Sequence, residues 1–141
     1  MQNRAIIFMS HGYLAQETLK SAEMIVGETH QTYVVSMTAE DGLSGTNEKL
    51  TACLAEIGHE QEVLVIADLK GGTPCNVAMM KMQDYPKLRV ITGLNLALAI
   101  EAVMSPLDSV DALVDYLVPV GKDAIDAVEL LSVEDDEEYE D

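Results

Sequence analysis

Three features of the 141-residue chain carry groups able to do chemistry at neutral pH. They are His11 in Ser10-His11-Gly12, Asp68, and the run Gly71-Gly72-Thr73 just after it. Histidine titrates near neutrality. A carboxylate bonded to one imidazole nitrogen fixes the tautomer and leaves the lone pair of the other nitrogen free to attack. A glycine-rich turn that opens a helix presents bare N–H groups and the positive end of the helix dipole, both of which favour a phosphate. These residue types describe a histidine that accepts a phosphoryl group. By position alone His11 is equally well a helix-capping or packing residue, and it is the Asp68 and Gly-Gly-Thr context that favours chemistry. The chain has no lysine-bearing P-loop, so nucleotide binding of that kind is unsupported.

These residues can act together only if the surrounding elements bring them to one edge. Ala5–Met9 is a continuous apolar run, as suits a strand buried on both faces, and Ser10-His11-Gly12 breaks it. Leu14, Ala15, Thr18, Leu19, Ala22, Ile25 and Val26 form one helical stripe, stopped by Gly27. Thr32–Met37 reads as a second strand and residues 38–45 as a polar turn region. A second helix then runs to Ile57, with Leu50, Cys53, Leu54 and Ile57 on one face and Gly58 beyond its end. Glu62–Ala67 is a third strand, ended by Asp68. Thr73 as N-cap and Pro74 at the first helical position open a helix to about Met82. Leu88–Thr92 is a fourth strand, and Asn95 caps a short helix that must end before Pro106. Ser109 opens a helix through Leu117, which Pro119 kinks or interrupts and residues 121–127 resume. Val128–Val133 is a candidate final strand.

Alternating buried strands and helices predict an α/β fold with a doubly wound, mainly parallel open sheet. Ligands of such sheets bind beyond the carboxyl ends of the strands, where the strand order reverses. If the order is 2-1-3-4, the first and third strands are neighbours there and His11 faces Asp68. His30 and His59 fall in helix-to-strand connections on the opposite edge and read as solvated loop residues. Zinc catalysis needs three protein ligands in one place, so no metal site is expected.

Composition narrows the function further. The chain is 48% hydrophobic and 23% charged, as a soluble domain is, with 25 acidic against 8 basic residues and a net charge of −17. Seven of the acidic residues lie in Glu134–Asp141, which leaves 18 against 8, or −10, for the rest. Nucleic-acid backbones and anionic membranes both call for the opposite charge. No apolar run approaches the roughly 20 residues of a spanning helix, and Met1–Ser10 lacks signal-peptide anatomy, so a cytoplasmic protein is expected. Cys53 and Cys75 are then reduced thiols. Cys53 reads as core. Cys75 lies in the first turn of a helix, where the dipole lowers a thiol pKa, yet with no histidine beside it in sequence it reads as a small buried hydrophobe. Met79, Met80 and Met82 read as adaptable packing. Residues 1–133 form one domain, and the acidic tail 134–141 is expected to be disordered, since it cannot offset its ordering entropy.

Phe8-Met9-Ser10-His11-Gly12 with Leu14 and Ala15, and Asp68-Leu69-Lys70-Gly71-Gly72-Thr73-Pro74-Cys75-Asn76, resemble the two signature segments of the mannose-family enzyme IIA component of the bacterial sugar phosphotransferase system. Thr92-Gly93-Leu94-Asn95 and Leu98 resemble a third. The three keep the family's order, and the likeness covers roughly Ala5 to Val133. The resemblance implies that His11 is the phosphorylated histidine and Asp68 its carboxylate partner. It places Gly72 and Thr73 beside the phosphoryl group, through backbone N–H groups and the Thr73 hydroxyl. It gives Lys70 and Cys75 no catalytic role, and leaves Asn76 as a support for the loop. It implies a donor, the histidine-containing phosphocarrier protein, and an acceptor, a IIB protein, expected here on a separate chain. It also implies a homodimer in which Val128–Val133 crosses to the partner's sheet. No cofactor is implied, because the donor is itself a phosphohistidine. Two other readings remain at this point. One is a regulatory module using His11 as a phosphorylation-sensitive switch. The other is the related phosphotransfer domain serving dihydroxyacetone kinase, whose loop lacks the Gly-Gly-Thr-Pro-x-Asn run.

Overall fold

The long apolar runs become the middle of a sheet. In the computed structural model, which describes residues 3–131, β1 (Arg4–His11) pairs in parallel with both β2 (Thr32–Met37) and β3 (Glu62–Ala67). β3 pairs in turn with β4 (Leu88–Thr92), so the strand order is β2-β1-β3-β4. A strand with neighbours on both edges and helices on both faces has no side in water. Residues 4–10 of β1 and 63–67 of β3 are accordingly all buried. The expected 2-1-3-4 order therefore holds.

Side-chain alternation splits the core into two layers. Ile6, Phe8, Leu64 and Ile66 face α1 (Leu14–Val26), α4 (Leu96–Met104) and α5 (Val110–Asp123). Ile7, Met9, Val63 and Val65 face α2 (Gly42–Ile57) and α3 (Thr73–Lys81). On α1 the residues that reach the sheet are Ala15 and Ala22, with Leu19 packed beside them. Leu14 and Ile25, the outer members of the expected stripe, are 53% and 62% exposed. α2 begins at Gly42, inside the stretch expected to be a polar turn. Thr46 supports that first turn by donating from Oγ1 to the Gly42 carbonyl at 2.7 Å.

Three further expectations are revised. The cap of α3 is Gly72, with Thr73 and Pro74 already helical, one residue earlier than anticipated. α5 is one helix from Val110 to Asp123 with Pro119 inside it. It is neither interrupted at Pro119 nor carried to 127. Proline removes one intrahelical donor, but Val110, Leu113 and Leu117 are buried against the sheet and hold the helix through the gap. Beyond it, residues 125–131 form no strand in the single chain, and Val128 and Leu130 are almost fully exposed. Ser132 and Val133, and the tail 134–141, lie outside the described residues.

One buried charge escaped the sequence reading. Arg4, 3% exposed, donates from Nη2 to the Ser105 carbonyl at 2.7 Å and from Nε to that of Leu107. It thereby ties the start of the central strand to the link between α4 and α5. Burial lowers its pKa, while Asp108 opposes that shift.

Candidate active site

His11 is the last residue of β1 and lies on the carboxyl edge of the sheet. Gly12 follows at φ +58°, a left-handed conformation that suits glycine, and its N–H donates to the Met37 carbonyl at 2.7 Å. Beneath this turn Ser10 is fully buried. Its Oγ accepts from the Ala15 N–H at 2.7 Å and donates to the Gly12 carbonyl at 3.2 Å. That one hydroxyl caps α1 and braces the backbone around His11. The signal for this role in the sequence is a serine four residues before the first residue of α1, whose own N-cap position, Tyr13, makes no side-chain cap.

Asp68 follows β3 directly, and its N–H donates to the Met9 carbonyl at 3.1 Å, extending the β1–β3 ladder by one step. This register sets its carboxylate beside His11. Asp68 Oδ2 accepts both from the His11 backbone N–H at 3.0 Å and from the ring at Nδ1, 2.9 Å away. A carboxylate has only acceptors to offer, so the proton of the neutral imidazole sits on Nδ1 and the lone pair on Nε2. The side chain of Asp68 is 10% exposed and that of His11 42%. Asp68 Oδ1 is buried and has no hydrogen-bond partner among the described residues, while Oδ2 makes both bonds to His11. The expected facing of His11 and Asp68 is what the fold produces.

The loop after Asp68 is tightly closed. Gly71 takes φ +82°, and the Gly72 N–H donates to the Leu69 carbonyl at 3.1 Å, closing a tight turn. Gly72 also lies against the Cε1–Nε2 edge of the His11 ring. Thr73 comes next, at the start of α3, where no side chain caps the helix and Pro74 has no N–H to give. Asn76 donates from Nδ2 to the Gly71 carbonyl at 3.1 Å, the loop support that was expected.

An imidazole held at Nδ1 with its lone pair on Nε2, beside the start of a helix, is chemically able to act as a nucleophile. A family model described as the fructose IIA component of the phosphotransferase system, of the mannose-type enzyme IIA class, matches residues 5–118. The chain belongs to the mannose-type enzyme IIA family. It is 32% identical over 132 residues to the mannose-specific EIIAB component of Escherichia coli strain K12, covering 92% of this chain and 41% of that protein. It thus spans less than half the length of that relative. It is 38% identical over 100 residues to the sorbose-specific EIIA component of Klebsiella pneumoniae, covering 69% of this chain and 70% of that one. A mannose/sorbose-specific IIA subunit from Enterococcus faecalis superposes with a TM-score of 0.89 at 56% identity, over 94% of this chain and 99% of that one.

The third enzyme IIA segment also has a structural task. Asn95 caps α4, its Oδ1 accepting from the Leu98 N–H at 2.8 Å while its Nδ2 donates to the Gly121 carbonyl of α5 at 3.3 Å. On the far side of the carboxyl edge, Lys49 donates to Asp41 Oδ2 at 2.7 Å, and the Thr38 N–H and hydroxyl donate to the same oxygen. The Lys49 bond first, then the Thr38 N–H, holds the Asp41 carboxyl below the usual range.

The remaining candidates stand apart from this site. His30 is exposed ahead of β2, while His59, beyond α2, stacks on Tyr85 with ring centroids 4.6 Å apart, so it is not merely solvated. Cys53 and Cys75 are free thiols, each partly buried. Burial, and secondarily Glu56, pushes the Cys53 pKa to about 11. Met79, Met80 and Met82 are 55%, 54% and 38% exposed and do not fill the core. Among the described residues no helix is long and apolar enough to cross a membrane.

Proposed function

We propose that this enzyme IIA is a cytoplasmic phosphoryl carrier. It accepts phosphate on His11 Nε2 from the histidine-containing phosphocarrier protein and passes it to a IIB protein for sugar uptake. The observation that supports this above all is the 2.9 Å contact between Nδ1 and Asp68, which leaves the lone pair on Nε2 of a side chain that is 42% exposed. In the forward step that lone pair attacks the phosphorus of the donor. The Nε2–P bond forms as the donor's N–P bond breaks, and the electron pair of that bond returns to the donor imidazole. His11 then bears an Nδ1–H and a phosphorylated Nε2, an imidazolium-like ring whose positive character Asp68 offsets. Thr73, at the head of α3, is beside the transferred group and supplies its N–H and hydroxyl. The reverse sequence hands the group to the IIB protein. Neither a metal nor a nucleotide is required, since the phosphoryl group arrives already activated and positioning and charge do the rest.

The functional domain on this reading is 1–133, with 134–141 as an acidic tail, and it acts as a homodimer. Among the described residues β4 has a partner only on its β3 side. Along its free side runs an open groove of about 760 Å³ lined by Cys75, Met79, Met82, Val90, Val114 and Val118. Residues 128–133 of a second copy supply the apolar strand that such an edge takes.

Incubation with the phosphocarrier system followed by intact-mass measurement tests the carrier reading. Wild type gains one phosphoryl group and His11→Ala none, with the fold retained. A phosphorylated His11→Ala would move the site to His30 or His59 and end this reading.

A further inference from the structure

Gly72 has a backbone any residue could adopt, at φ −78° and ψ 166°. Its neighbour Gly71, at φ +82°, needs glycine for conformational reasons, and Gly72 does not. What excludes a side chain at position 72 is His11. A Cβ built there falls 2.7 Å from Cε1 of the ring and 3.3 Å from Nε2, with the Leu69 carbonyl at an ordinary 3.4 Å. The ring cannot simply withdraw, because Asp68 Oδ2 holds it at Nδ1 and also holds the His11 N–H.

We propose that Gly72 is a positioning residue for phosphoryl transfer: its missing side chain seats the Cε1–Nε2 edge of His11 on the loop, keeping Nδ1 on Asp68 while Nε2 stays open. This rests on the carrier reading for its consequence, though not for its geometry. The imidazole is located by two different contacts. Asp68 draws one edge in by hydrogen bonding, and the Gly72 backbone limits the other by contact. A methyl group at position 72 forces the ring to tilt about the Asp68 bond or to leave it. Either movement spoils the aim of Nε2, and the second also frees Nδ1 to lose its proton to the other tautomer. Displacing a reacting atom by about 1 Å costs on the order of 10²-fold in rate.

The test is Gly72→Ala in two backgrounds. With His11 present, the variant is expected to lose roughly 10²-fold in kcat for phosphorylation by the phosphocarrier protein, with KM for that protein little changed. Nitrogen-15 NMR of the His11 ring is expected to show a smaller Nδ1–H fraction than wild type. With His11→Ala, the same substitution is expected to cost no stability in urea, since the only close contact is gone and alanine limits the unfolded chain more than glycine does. Wild-type kcat and tautomer in Gly72→Ala would overturn the proposal. So would an equal loss of stability in the two backgrounds, a comparison that stays informative even if the single variant folds poorly. Phosphoramidate, a small phosphoryl donor, separates the two readings. If wild type takes phosphate from neither donor, the carrier reading fails, while the tautomer and stability comparisons still decide the role of Gly72.

Discussion

At His11 a single carboxylate oxygen does two jobs, receiving the backbone N–H and the ring Nδ1 within 3.0 Å. Asp68→Asn retains the shape but loses the charge that matches a phosphorylated imidazole. It also supplies an amide N–H that can donate to Nδ1 and favour the wrong tautomer. The expected result is an intact fold with transfer slowed by roughly 10²–10³-fold. That is short of the about 10⁴-fold loss when a triad aspartate becomes asparagine, because here the imidazole is itself the nucleophile. Rapid-quench phosphorylation in both directions measures it, and unchanged rates would make Asp68 a bystander. Both residues were legible in the sequence because each ends an apolar run, which puts it at the mouth of a buried strand. The contact between Gly72 and the ring was not legible, since it depends on which way an imidazole faces after folding. Composition cannot carry that orientation. Ser10 was similarly hidden, because its hydroxyl acts on a turn whose path only the structure supplies.

Among the elements, starts and stops were readable wherever one residue type has one conformational job. Gly27 and Gly58 end α1 and α2 at φ +90° and +93°, and Asn95 caps α4 as its type suggests. The misses share a cause, which is that tertiary packing overrode local preference. α5 runs through Pro119 because its buried face outweighs one lost hydrogen bond. α2 claims Gly42–Gly45 because Thr46 and Leu50 are buried. Arg4 gave no signal at all, its partners being carbonyls more than a hundred residues away. Arg4→Met is expected to cost about 2–3 kcal/mol in urea unfolding, the worth of charged hydrogen bonds lost from a buried site; a variant as stable as wild type would show that the tie is dispensable. The Asp41 cluster makes a prediction in pH. Its carboxyl is held below its unfolded value, so its stabilising effect is complete above the unfolded pKa of about 3.9 and fades as pH falls through the lower folded value. The stability gap between wild type and Asp41→Asn should therefore be constant near neutrality and close in acid. A gap that widened in acid would reverse the assignment.

For the whole molecule, the strand order follows from buried strands alternating with helices, and that order brings His11 and Asp68 together. Assembly was less legible. Val128 and Leu130 do not fold back onto their own chain and stand in water, while among the described residues β4 keeps a free edge. A strand exchanged across a two-fold axis satisfies both chains at once. Truncation after Ser132 or earlier is expected to weaken the dimer, and truncation after Glu134 to leave it unchanged, since like charges gain nothing by ordering. Sedimentation velocity on the two truncations distinguishes them. A full-length chain that sediments as a monomer at micromolar concentration would exclude the exchange.

The central claim, that Nε2 of His11 carries the phosphoryl group, is open to direct reading. Protein labelled with nitrogen-15 in its histidines, phosphorylated by the phosphocarrier system and observed by NMR with phosphorus coupling, reports which ring nitrogen bears phosphorus. The account predicts one coupled nitrogen, Nε2 of His11, with Nδ1 still protonated. Coupling at Nδ1 of His11, or at either nitrogen of His30 or His59, would contradict it.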